Sequence, residues 1–285
     1  MKAIKLYFKT PIRSGVAGLG LESSDSILHS DTLFGAIANA LSKMNEDVEE
    51  FIEKFRSREI LITSCFPFKG DSYYLPNLHL PNLPQNIRKK RFLAKSKFEK
   101  LISGDIPEKI SDVDFMKKME IPKVVLDRTT SNSGIYYLSC VKFEGESGLY
   151  FLVSGKDKMI EVALKYLEDE GIGGKKTWGL GKFEFKVDDF RLKDGGDNYV
   201  TLSLTLPTDL SKIRYWKPIT RSGWINTPNG TFRKPKVIMA SEGTIFKGEE
   251  NGDLLDLDTA YSDLSKKVGH KVYLNGMSFL IRAEV

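Results

Sequence analysis

Ile4 to Thr10 reads IKLYFKT, an apolar–polar alternation of period two that predicts a strand. A glycine-rich connection, SGVAGLGLE, leads to HSDTLFGAIANALSKM, where Leu33, Phe34, Ile37, Ala38 and Leu41 recur at helical spacing. This predicts a helix from Asp31 to Met44 with Ser30 or Asp31 as its N-cap. Residues 46–58 extend that helix or form a second one. ILITSCFPF and DSYYLP predict two short strands joined by a turn at Lys69-Gly70-Asp71. Residues 81–125 are polar, basic and without clear periodicity, and read as an insertion with short helices. IYYLSCVKFEGESGLYFLVSG holds two apolar runs around Glu144 to Gly148 and predicts a hairpin. DKMIEVALKYLEDE places Ile160, Ala163, Leu164 and Leu167 on one helix face, and KFEFKVDDF follows as a strand.

The order is a decorated β-α-β-β-α-β, the ferredoxin-like arrangement. Asp194-Gly195-Gly196-Asp197-Asn198 reads as a linker. YVTLSLTLP, KVIMA, GTIFKG, KVYLN and SFLIRAEV add strands after it, with a short helix near residues 257–267. The expected fold class is α+β, with two tandem ferredoxin-like domains. The first covers 1–195, with a basic insertion at 81–125 and a glycine-rich loop at 171–181, and the second covers 199–285.

The chain has 285 residues, 41% hydrophobic and 28% charged, which suits a globular protein with a substantial core. No apolar run is long enough for a transmembrane helix, and the start lacks a signal-peptide core, so a cytoplasmic, membrane-free protein is expected. Cys65 and Cys140 lie in apolar stretches and read as buried free thiols. Three histidines and two cysteines at scattered positions form no metal-ligand spacing, and no cofactor is implied. The net charge of +5 is too mild to argue for nucleic-acid binding. Its distribution says more. No acid occurs between Ser211 and Ser241, a stretch that carries Arg214, Lys217, Arg221 and interleaved aromatics. A second basic run begins at Arg88, Lys89, Lys90 and Arg91.

Residues 168–182, EDEGIGGKKTWGLGK, hold five glycines within eleven residues. A P-loop needs G-x-x-x-x-G-K-[ST] between a strand and a helix. Here the lysine pair breaks the pattern, and the segment runs from helix to strand. The dinucleotide fingerprint fails at Lys176. Two readings stay open. One is a helix C-cap at Gly171 followed by a flexible turn. The other is an RNA-backbone clamp in which Gly171, Gly173, Gly174, Gly179 and Gly181 expose backbone N–H groups. Lys175, Lys176 and Thr177 would then meet phosphates, and Trp178 would stack on a base. His29 and Ser30 lie at a helix start, where N–H groups attract phosphate, although Asp31 opposes it and suits a cap better. Arg128, Thr129 and Thr130, in LDRTTSNSGIYY, suit phosphate and ribose contacts or an ordinary turn.

HSDTLFGAI, SCFPF followed by YYLP, LDRTTSNSGIYY and GIGGKKTWGLGKF together resemble the RAMP superfamily of CRISPR proteins. In detail they resemble the subunit of type III-A (Csm) effector complexes that caps the 5′ handle of the CRISPR RNA. The resemblance spans residues 29–183 and is only general beyond residue 200. It implies two RRM-related domains side by side and binding of the handle. It also implies docking onto a large polymerase-type subunit and a backbone RAMP subunit, in antiviral defence. A thumb-like insertion that kinks the RNA is implied as well, with the basic run at 85–100 as the candidate. Loops of this kind often carry serines where this chain has Thr177 and Trp178. The RNP1 signature of ordinary RRM proteins is absent.

Some RAMP proteins cleave precursor RNA with a histidine, and His29 is the one histidine beside a candidate RNA site. The first reading is therefore a non-catalytic RNA-binding subunit. The alternatives are a precursor-processing endoribonuclease using His29, and a protein-interaction module whose basic stretches meet acidic surfaces.

Overall fold

The structure, a computed structural model, describes residues 1–127, 129, 132–155, 158–227, 230–260 and 264–285. Arg128 and Thr130 lie outside the described residues. The first part of the chain runs β1 (Lys2–Phe8), α1 (Ser30–Lys43), α2 (Val48–Arg56), β2 (Leu61–Ile62), β3 (Phe66–Lys69) and β4 (Ser72–Pro76). Next come α3 (Gln85–Arg88), β5 (Phe92–Ala94), α4 (Lys95–Ile102), β6 (Met116–Leu126), β7 (Ser133–Phe143), β8 (Ser147–Ser154), α5 (Lys158–Glu170) and β9 (Phe183–Asp189). The remainder holds β10 (Asn198–Thr201), β11 (Ile213–Tyr215), β12 (Pro218–Thr227), β13 (Gly230–Ala240), β14 (Ile245–Phe246) and β15 (Gly252–Asp256). It ends with α6 (Leu257–Ala260), α7 (Leu264–Val268), β16 (Tyr273–Met277) and β17 (Leu280–Ala283).

The result is a mixed α/β protein. Its main sheet is antiparallel, in the order β5-β4-β3-β8-β1-β9, with β2 also on β8. A smaller sheet runs β11-β14-β10-β17. Helix α1 buries Leu33, Phe34, Ile37 and Leu41, the face that its spacing predicts. Its N-cap is His29, not Ser30 or Asp31. Both of those side chains are engaged elsewhere: the Ser30 hydroxyl accepts from the Leu204 N–H, and Asp31 pairs with Arg221. Residues 46–58 form a separate helix, capped by the Asp47 carboxylate on the Glu50 N–H.

Two expectations are corrected. The apolar runs around Glu144 to Gly148 do not pair with each other. β8 inserts between β1 and β3 in the main sheet, where seven of its eight residues are buried. β7 pairs instead with β6 in a two-stranded ribbon, in register from Met116–Phe143 to Leu126–Ser133. The buried run of β8 is the signature of a central strand covered on both faces.

The basic run near residues 85–100 is not a protrusion either. Ile87, Phe92, Leu93, Phe98, Leu101 and Ile102 are buried in the main core, and β5 extends the main sheet. The element that stands out is the β6–β7 ribbon. Its base is bound to the segment before α1 by the Ile12–Val141 pairing, and its far end exposes Val124, Val125, Leu126, Ile135 and Tyr137.

The two parts of the chain share the larger of two apolar clusters, while the smaller, around Leu204, Met239, Leu257 and Leu274, lies wholly in the second part. Val200, Leu202, Phe279, Ile281 and Ala283 lie in the same apolar cluster as the side chains of β1, α1 and β8. Backbone bonds cross as well: the Ser64 N–H donates to the Leu202 carbonyl at 3.0 Å. Cys65 and Cys140 are free and buried. Among the described residues no helix is long and apolar enough to cross a membrane. Because the larger cluster is shared, Leu202→Ala should remove about 2–5 kcal/mol of stability and leave a single unfolding transition. Denaturant unfolding followed by fluorescence and by circular dichroism checks this; separate transitions for the two parts would contradict it.

Candidate nucleic-acid interface

The glycine loop is folded tightly onto the strand end that precedes it. The N–H of Gly174 donates to the Arg13 carbonyl at 2.7 Å, and that of Gly181 donates to the Pro11 carbonyl at 2.9 Å. Ile172, buried in the core, donates to the Gly181 carbonyl at 2.9 Å. Gly181 has a positive φ, and a Cβ on it would stand 2.0 Å from the Ile172 carbonyl oxygen. The Gly171 N–H donates back to the Leu167 carbonyl of α5 at 2.8 Å, and the N–H groups of Trp178 and Gly179 bond within the loop. The N–H groups of Gly171, Gly174, Gly179 and Gly181 are therefore already engaged within the protein. Three of the glycines serve close backbone packing, since a Cβ on Gly171, Gly173 or Gly181 would collide with a backbone carbonyl oxygen.

What the loop presents outward is side chains. Lys176 to Trp178 form a 3-10 turn, and Thr177 and Trp178 are exposed. The Trp178 ring is 42% exposed. Two ammonium groups sit on it, Lys175 at 4.5 Å and Lys123 of β6 at 5.1 Å from the ring centroid. The tryptophan thus joins the glycine loop to the β6–β7 ribbon. Lys176 turns away and pairs at 3.1 Å with Glu170, which also holds Lys43. Thr129 lies at the exposed end of the ribbon, its N–H bonded to Asp127 at 2.9 Å. Lys123 was not singled out because residues 81–125 lack clear periodicity and read as an insertion with short helices, so MKKMEIPKVVL gave no strand signal.

His29 and Ser30 are corrected as RNA contacts. His29 is 2% exposed. Its Nδ1 donates to Glu242 at 2.7 Å and its Nε2 to Asp25 at 3.2 Å. Burial disfavours the charged ring, but Glu242 and Asp25 outweigh it and raise its pKa to about 9. Asp25 also takes Arg91 at 2.6 Å, and Glu242 also accepts from the Ser64 hydroxyl. Arg221 is corrected too. It is buried and makes a fork on Asp31, Nε at 2.9 Å and Nη2 at 3.0 Å, with Thr32 as a third partner. These groups form an ionic junction between the start of α1 and residues 221–242.

The remaining cations divide. Lys90 pairs with Asp112, and Arg214 is tied at 2.7 Å to the Val285 carbonyl. Arg88, Lys89, Trp216 and Lys217 are exposed and line a groove of about 650 Å³ between α3 and the start of β12. The groove is separate from the glycine loop in sequence and brings both basic runs together. Further along the β12–β13 ribbon, Trp224 is exposed with the Arg233 guanidinium 6.0 Å from its ring.

Comparison with known proteins places this geometry in a family. The profile described as the RAMP superfamily matches residues 5–184, and that of the CRISPR Csm4 C-terminal domain matches residues 194–283. A relative from Thermococcus onnurineus (strain NA1), described as CRISPR system Cms protein Csm4, is 34% identical, covering 99% of this chain and 96% of that protein. The chain belongs to the Csm4 family of CRISPR proteins. A second Csm4, from Methanocaldococcus jannaschii, is 25% identical over 92% of each chain. A crystal structure of a Csm1-Csm4 cassette in complex with pppApA matches with TM-score 0.70 and 27% identity, covering 100% of this chain and 98% of that one. A Csm3-Csm4 subcomplex matches in fold with TM-score 0.68 at 21% identity, covering 99% of both chains. In this Csm4-family chain the first profile ends at residue 184, inside β9, and the second begins at residue 194, at the expected linker.

The ionic junction makes stability depend on pH. His29 holds its proton more tightly when folded, about 9 against the ordinary 6.5, so its contribution is complete below pH 6.5 and is lost as pH rises through 9. The denaturant midpoint of the wild type should therefore fall between pH 6.5 and 9. His29→Gln should flatten that slope; an equal slope in both proteins would refute the assignment.

Proposed function

We propose that this chain is a non-catalytic RNA-binding subunit of a type III-A (Csm) interference complex. It caps the repeat-derived 5′ handle of the guide RNA and bridges the large polymerase-type subunit to the backbone RAMP subunits, in the cytoplasm. The observation that carries the RNA-binding reading is Trp178, exposed and flanked by Lys175 and Lys123 where the glycine loop meets the β6–β7 ribbon. An aromatic face set among cations suits single-stranded RNA, because bases stack on the ring while phosphates meet the ammonium groups. The bridging role is supported by the relatives: Csm4 chains occur in a Csm1-Csm4 cassette and in a Csm3-Csm4 subcomplex.

The domain reading is two ferredoxin-like units, 1–195 and 199–285. For the first, support lies in the strand order β9-β1-β8-β3 and in the packing of α1 on α5. For the second, it lies in the match to the C-terminal domain over 194–283. The thumb-like element implied at the handle–guide boundary is assigned here to the β6–β7 ribbon. The site comprises Lys123, Thr129, Lys175, Thr177 and Trp178. Arg88, Lys89 and Lys217 form a second contact region in their groove. Cleavage through His29 is disfavoured because both ring nitrogens are held by carboxylates and neither is free to take a proton from a ribose 2′-OH.

Replacing both Lys175 and Trp178 with alanine should weaken binding of a labelled handle RNA about 10-fold or more, and wild-type protein should leave repeat RNA intact. A filter-binding titration and a metal-free cleavage assay check this. Unchanged affinity would refute the site, and specific cleavage abolished by His29→Ala would refute the non-catalytic role.

A further inference from the structure

Arg13 lies in the connection between β1 and α1, directly behind the glycine loop. The residue is 8% exposed. Its Nη2 donates to the carbonyls of Gly20 at 3.0 Å and Ser23 at 3.2 Å. Its Nε is buried with no hydrogen-bond partner. Among the described residues the guanidinium forms no ion pair. The nearby Glu22 carboxylate accepts from the Gly20 N–H instead, at 3.2 Å. Burial pushes the guanidinium below its ordinary pKa, and Cys140 and Glu22 only partly oppose this. Arg221 shows the contrast: equally buried, it has a two-point fork on Asp31. A buried guanidinium without a carboxylate is unusual, because buried charges are as a rule paired.

The open side of Arg13 has a definite position. A Cβ on Gly174 would stand 3.4 Å from Nη1, and a Cβ on Gly15 would stand 3.5 Å from it. Neither glycine has a positive φ. Backbone conformation therefore does not demand glycine at these two positions, and a side chain at either would stand against Nη1. Gly15 is exposed and Gly174 half-buried, so an anion can approach through the gap. The backbone of Arg13 is itself fixed to the loop by the bond from the Gly174 N–H.

We propose that Arg13 is a phosphate-binding residue whose Nη1 edge, uncovered between Gly15 and Gly174, receives one backbone phosphate of an RNA strand lying on the glycine loop. The phosphate supplies the counter-charge that the fold withholds, and the guanidinium geometry suits it better than an ammonium would. The inference rests on the RNA-binding reading above and adds to it a contact that no surface lysine provides.

The test uses the full-length chain and a labelled single-stranded RNA carrying the repeat-derived handle, with single methylphosphonate substitutions that neutralise one phosphate at a time. Wild-type protein should lose about 10-fold in affinity at one position. Arg13→Gln, which removes the charge and keeps a polar amide, should bind unmodified RNA about as weakly and be insensitive at that position. Its slope of log K against log[salt] should be shallower by about 0.7, one contact on single-stranded RNA. A purely structural role predicts a lower thermal midpoint, an unchanged salt slope and an unchanged phosphate scan; that result overturns the proposal. If Arg13→Gln does not fold, Arg13→Lys together with Gly15→Ala and Gly174→Ala carries the test. Each should weaken RNA binding most where the phosphate is intact, and full affinity in all three overturns the proposal. Wild-type protein that binds no RNA at low salt refutes the RNA-binding reading itself, whereas wild-type binding with an indifferent Arg13→Gln refutes only the role of Arg13.

Discussion

Gly181 and Ile172 approach so closely that no side chain fits between them, and much of the interface follows from that contact. The crossing holds the two ends of the glycine loop together. Bonds from Gly174 and Gly181 then fasten the loop to residues 11–13 at the end of β1. With both ends fastened by hydrogen bonds, the turn at Lys176–Trp178 projects from the loop, and the Trp178 ring reaches Lys123 on the neighbouring ribbon. The same clasp sets Arg13 behind the loop. A loop serving as a loose tether would leave these groups unaligned. Preorganised contacts of this kind lose less conformational entropy on binding.

A second constraint ties the C-terminal part to this framework. The start of α1 carries Asp31 and follows His29, and both face residues from the far end of the chain, Arg221 and Glu242. Burying these charges is unfavourable for each one alone, and their mutual pairing offsets it. The arrangement demands a fixed orientation between the first part and residues 221–242. That orientation also closes the groove in which Arg88 and Lys89 stand opposite Trp216 and Lys217.

Much of this was legible in the sequence. The 3.6-residue spacing of Leu33, Phe34, Ile37 and Leu41 gave α1 its buried face, and Ile160 to Leu167 did the same for α5. Strand pairing was less legible. The apolar runs of β7 and β8 are adjacent in the chain and look like a hairpin, yet burial on both faces draws β8 between β1 and β3. The mixed polar and apolar run of β6 lacks clear alternation and read as part of an insertion, so the true partner of β7 was missing from the pattern. At the candidate site, the glycine segment singled out Lys175, Lys176 and Trp178 in the sequence, and the structure leaves Trp178 exposed beside Lys175 while Lys176 pairs with Glu170. His29, Ser30 and Arg221 misled for one reason. Each has a partner more than 170 positions away in the chain, Glu242 for His29, Leu204 for Ser30 and Asp31 for Arg221, and local sequence carries no trace of those partners. Arg13 gave no signal at all, since an arginine after a strand looks like an ordinary surface residue.

The central claim is that RNA lies along the face shared by the glycine loop and the β6–β7 ribbon. Photo-crosslinking of a handle RNA carrying 4-thiouridine at successive positions, followed by mass spectrometry of the adducts in the assembled complex, tests it most directly. The account predicts adducts at Trp178 and on the facing residues of the ribbon, around Lys123. Adducts confined to other subunits, or to surfaces of this chain remote from the glycine loop, would contradict it.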